Sequence, residues 1–112
     1  MSLHRRDAKR DASERAIILT LEVCGFSVEQ LSEADVPDLL IGRNGVTALV
    51  ECKTGKAKLR KGQRTWADSW RGAPVRVLRS EQDVMDLVRT WPNIPASRTL
   101  SPHTMGLTEA LK

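Results

Sequence analysis

The sequence predicts an α/β fold, a small mixed β-sheet flanked by helices in the order α-β-β-β-α-β-α. Three observations predict it. Residues 38–42 and 46–53 are strand-like runs joined by Asn44-Gly45, a pair that favours the type I′ turn of a tight hairpin. Apolar residues recur at helical spacing before this hairpin, at Ile17, Ile18 and Leu21, and well after it, at Val84, Leu87, Val88 and Trp91. Between the hairpin and the last helical stretch, Pro74-Val75-Arg76-Val77-Leu78 reads as a further strand.

Each element has its own signal. Over residues 7–24, Glu14, Ile17, Ile18 and Leu21 fall at i, i+3, i+4 and i+7 on one helical face, and Gly25 follows as a stop that tolerates a left-handed conformation. Residues 26–31 alternate enough for a short strand. After the hairpin, Leu59, Gln63, Trp66 and Trp70 predict a helix over 59–71 closed by Gly72, with the two tryptophans as core anchors unless one faces a partner. Ser80 followed by Asp83 marks the N-terminus of the last helix, which Pro92 ends. The expected organisation is one domain over residues 1–91 and a proline-containing tail over 92–112, disordered or wrapped around a partner.

Composition excludes several classes. With 40% hydrophobic and 29% charged residues among 112, the chain is too apolar for a disordered protein. Its longest aliphatic run, Ala16-Ile17-Ile18-Leu19, is far short of the ~20 residues that span a bilayer, so no membrane association is expected. The charged N-terminus lacks the apolar stretch of a signal peptide. Cys24 and Cys52 are too few for a disulfide framework or a zinc site and are expected as small core residues. An intracellular, cytoplasmic setting follows. The net charge of +4 is unevenly placed: Lys53, Lys56, Lys58, Arg60, Lys61 and Arg64 lie in one acid-free stretch, and the remainder of the chain is net negative. Such a cluster suits phosphate binding or a solvated loop kept for solubility.

The hairpin carries the chemistry. If Asn44-Gly45 is a two-residue loop, Arg43 pairs with Val46 and the same register sets Asp38 opposite Glu51. Opposed residues on one face have Cβ atoms ~4.5–5.5 Å apart, where like charges repel. Alternation puts Leu49, Glu51 and Lys53 on one face, with Val50 and Cys52 on the other. Either the strands end there and both carboxylates reach water, or a divalent cation sits between them, since hard cations take carboxylate and carbonyl oxygens. Cys52 is placed to add its backbone carbonyl. Glu14 shares the stripe of Ile17, Ile18 and Leu21, and so reaches solvent from an edge or turns toward the sheet and a cation. Gln63 shares the stripe of Leu59, Trp66 and Trp70, and so is either a core-edge amide bonded to backbone or turned, like Glu14, toward the sheet. His4 and His103 have no partners at ligand spacing and are expected at the surface.

Pro37-Asp38, followed after twelve intervening residues by Glu51-Cys52-Lys53, resembles the PD-(D/E)XK nuclease signature. The preceding helical acid Glu14, the hairpin, Gln63-x-x-Trp66 on the next helix, and the final strand and capped helix extend the likeness over residues 7–91. The arrangement is similar to the virus-type replication-repair nuclease (VRR-NUC) branch and to archaeal-type Holliday junction resolvases. This resemblance implies a restriction-endonuclease-like core and a Mg²⁺- or Mn²⁺-dependent endonuclease acting on DNA in repair or recombination, and a phage or prophage origin suits it. It implies that Asp38 and Glu51 bind the metal, that Glu14 completes the site directly or through water, that Lys53 positions or activates the attacking water, and that Gln63 lies beside it. A homodimer is implied, because two strands need two sites. Lys56, Lys58, Arg60, Lys61 and Arg64 are the expected DNA contacts. The low aromatic content lends little support to stacking on single strands, which favours duplex or branched DNA. The rival functions are a non-catalytic nucleic-acid-binding module and a sequence-specific restriction-type nuclease.

Overall fold

The computed structural model describes residues 5–92. The elements are α1 (Arg5–Val23), β1 (Ser27–Gln30), β2 (Leu39–Arg43), β3 (Val46–Cys52), α2 (Lys61–Ser69), β4 (Arg76–Leu78) and α3 (Glu81–Thr90). The order is the expected one. His4, His103 and the tail beyond Pro92 lie outside the described residues.

Four strands form one mixed sheet in the order β1-β2-β3-β4, antiparallel except for the parallel β3–β4 pair. The β2–β3 hairpin has the register that a two-residue turn dictates, from Arg43↔Val46 to Leu39↔Val50. Asn44 and Gly45 take φ of 55° and 79°, the two positive values a type I′ turn requires. Helix α1 ends in a Schellman motif: Phe26 N donates to Leu21 O, Gly25 N donates to Glu22 O, and Gly25 sits at φ 92°. At the start of α3, Ser80 Oγ accepts from Asp83 N while the Asp83 carboxylate accepts from Arg79 N.

Leu39, Ile41, Ala48, Val50, Cys52 and Leu78 line one face of the sheet, where Ile17 and Leu21 of α1, Val84 and Leu87 of α3, and Phe26 cover them. Cys24, Val28, Val88 and Trp91 pack at the margin of this core. Trp91 meets Phe26 edge to face at 4.8 Å and donates its indole N–H to Arg43 O.

The central expectation overturned concerns α2. The helix spans Lys61–Ser69 rather than 59–71, because Arg60 is an extended N-cap (φ −69°, ψ 162°) and Trp70 an extended C-cap. Trp66 and Trp70 are not core anchors. Both faces of the core are already closed by α1, α3 and the sheet, and α2 buries only Gln63. The two indoles stack on each other, centroids 4.9 Å apart and planes 16° from parallel, and Trp70 is 45% exposed. The last strand is also shorter than expected, Arg76–Leu78 instead of 74–78.

Candidate functional site

Asp38 immediately precedes β2, and Pro37 beside it is buried. Its backbone carbonyl accepts from Leu31 N at 2.8 Å, and its side-chain Oδ2 accepts from Cys52 N at 2.8 Å. The acid is thereby tied to β1 on one side and to the end of β3 on the other. Continuing the hairpin register by one residue brings it to Glu51.

Glu51 is 2% exposed, and its Oε1 has no hydrogen-bond partner. Burial, then a hydrogen bond to Asp38 and the Asp38 charge, push its carboxyl up from 4.5 to about 8, although Lys53 and Arg60 pull the other way. An unpartnered carboxylate oxygen at this depth is a costly arrangement for the chain alone.

Lys53 extends the β3–β4 ladder by one rung, its N–H donating to Leu78 O. Its Nζ donates to Gln63 Oε1 at 2.8 Å. The same Gln63 oxygen accepts from Arg60 N at 2.8 Å, closing the first turn of α2. Gln63 is 4% exposed, so the ammonium is aimed by a buried amide that is itself fixed by the backbone.

Glu14 turns toward the sheet, half-buried, and its Oε2 accepts from Gln30 Nε2. One carboxylate oxygen each from Glu14 and Asp38 and the Cys52 thiol lie within 4.8 Å of one another, a group that could hold a metal ion. The structure thus brings Glu14, Asp38, Glu51, Cys52, Lys53 and Gln63 to one end of the hairpin. The thiol of Cys52 was not foreseen as part of this group. Its nearness to Glu14 depends on how α1 crosses the sheet, which no local pattern records.

Lys56, Lys58, Arg60, Lys61 and Arg64 are all exposed, on the loop after β3 and the first turns of α2. Sequence reasoning also missed what shapes this loop. Arg79 Nη1 donates to Gly55 O at 3.0 Å and to Ala57 O at 2.6 Å. The parallel pairing Cys52↔Leu78 is what sets residue 79 beside the loop. No helix among the described residues is long and apolar enough to cross a membrane.

Among solved structures, the chain is similar to one described as "VRR_NUC domain", with a TM-score of 0.64 and 28% sequence identity, over 74% of this chain and 97% of that one. No protein-family model matches the sequence, and no curated protein matches it. The mixed four-stranded sheet with its three helices is therefore a restriction-endonuclease-like α/β fold of the VRR-NUC type.

Proposed function

We propose that this chain is a divalent-metal-dependent endonuclease that hydrolyses DNA phosphodiester bonds, selectively on branched duplexes such as four-way junctions or flaps. The observation that carries the reading is Glu51, a buried carboxyl beside a second acid with one oxygen left unpartnered. A hard cation accounts for both features, because it supplies the missing partner and offsets the repulsion. The likeness to a VRR-NUC domain at 28% identity supports the same reading.

Asp38, Glu51 and the Cys52 carbonyl would hold Mg²⁺ or Mn²⁺, with Glu14 bound directly or through water. Such an ion, when bound, lowers the pKa of a ligated water and neutralises charge developing on the phosphate. Lys53 presents its ammonium beside the acids and orients the attacking water. Gln63 holds Lys53 in place through the 2.8 Å bond and so acts as a positioning residue. The Lys56–Lys58–Arg60–Lys61–Arg64 cluster neutralises flanking phosphates, and Arg79 keeps its loop in one shape. Two copies, each cutting one strand, complete the proposal, in an intracellular setting.

The test is cleavage of four-way junctions, flaps, linear duplex and single strands in Mg²⁺ and in Mn²⁺, with wild type, Asp38→Asn and Lys53→Ala. Wild type cuts branched DNA, and each variant loses at least ~100-fold in rate, in line with loss of a metal ligand or of a positioned cation. If all three proteins behave alike, the catalytic reading is wrong and a DNA-binding module remains. Sedimentation at micromolar concentration tests the dimer, and a monomer contradicts it.

A further inference from the structure

We infer that Trp66 and Trp70 form a stacking platform for an unpaired nucleobase, so that the preferred DNA joins duplex to an unpaired strand. The inference rests on the nuclease reading and names its substrate more closely. Aromatic residues are few in this chain, yet two of its three tryptophans are gathered here, outside the core and stacked face to face at 4.9 Å. Among the described residues the core cluster contains neither tryptophan, and α2 buries only Gln63.

Their position relative to the site is set by helix geometry. Trp66 is three residues beyond Gln63 on α2, about 4.5 Å along the axis at ~1.5 Å per residue, and Trp70 caps the helix with its ring 4.9 Å from that of Trp66. That spacing covers roughly one to three nucleotides at ~3.4 Å each. The Trp70 ring also lies against the backbone of Gly72, where an added Cβ would come within 2.6 Å of its Nε1. It is thus braced on one side while 45% of the residue stays open.

The surroundings select the occupant. Arg60, Lys61 and Arg64 of the same segment and Arg71 next to Trp70 are exposed cations. Aromatic faces beside backbone-neutralising cations are the pattern by which proteins hold single-stranded nucleic acid, and these four cations outnumber Asp68, the one acid of residues 60–71.

The experiment measures binding of the full chain in EDTA, where cleavage is prevented, to a blunt duplex and to the same duplex carrying a short unpaired flap. Wild type prefers the flap. Trp70→Ala lowers the flap-over-duplex affinity ratio about 10-fold, the loss of one stacked base, while Trp70→Phe keeps most of it. Flap DNA quenches tryptophan emission in wild type and in Trp91→Phe. Circular dichroism and melting confirm that each variant is folded. An unchanged ratio in folded Trp70→Ala, or equal losses on both DNAs, overturns the inference. So does a change from dimer to monomer with the ratio intact, which would assign the pair to a second copy of the chain. If wild type shows the tryptophan-dependent preference but cuts nothing in Mg²⁺, the nuclease reading fails and the platform stands. Cleavage without flap preference is the converse.

Discussion

Glu51 is the residue on which the proposed chemistry turns, because the fold holds it in a state that disfavours its charge. Its carboxyl titrates near 8 in the folded chain against an ordinary 4.5. Between those values the folded state binds the proton and the unfolded state does not. The stability this group contributes is therefore complete below about 4.5 and is lost as the pH rises through about 8. In EDTA, melting temperature falls across that window, and Glu51→Gln flattens the fall. At pH 8 the same variant is more stable than wild type by about 1 kcal/mol, which is ~4 °C or more for a chain of this size. Equal pH profiles for the two proteins in EDTA contradict this. Gln63 is the other residue with more than one obligation: without it, both Lys53 Nζ and Arg60 N lose a part-buried acceptor.

At the scale of elements, the β2–β3 hairpin sets the site. A residue inserted between Asn44 and Gly45 slips the register by one and turns Glu51 and Lys53 to the opposite face. Such a variant loses divalent-ion binding outright, and calorimetry that still finds wild-type affinity refutes the role of the turn. This part of the molecule was legible in the sequence, because Asn44-Gly45 fixes both turn type and pairing, and period-2 alternation follows. Gly25, Ser80 and Asp83 were legible for the same reason: their signals act over a few bonds. What was not legible depends on contacts distant in sequence. The stripe of Gln63, Trp66 and Trp70 is the same string whether it faces a core or the margin of a site, and only the arrangement of α1 and α3 leaves α2 outside the core. Arg79 was invisible because its grip on Gly55 and Ala57 arises from the parallel β3–β4 pairing. Arg79→Ala frees that loop, and DNA affinity falls about 3- to 10-fold, roughly the loss of one or two ordered cationic contacts, with unchanged melting of the rest of the fold. Anisotropy at fixed salt checks it.

Across the whole molecule, one face of the sheet makes the fold and the other end of the hairpin makes the site. Ile17, Leu21, Leu39, Val50 and Val84 are almost completely buried on the first. Glu51 is as deeply buried as they are, yet polar and incompletely bonded. A native chain retains such a conflict where function requires it. The measurement that tests this most directly is calorimetric titration of Mn²⁺ into the full chain at pH 7 and pH 8, beside Glu51→Gln and Asp38→Asn. Saturable binding to wild type that tightens with pH as Glu51 gives up its proton is the expected result, with at least ~10-fold weaker binding in either variant. Binding that is independent of pH and undiminished in both variants would mean that the paired acids do not hold an ion.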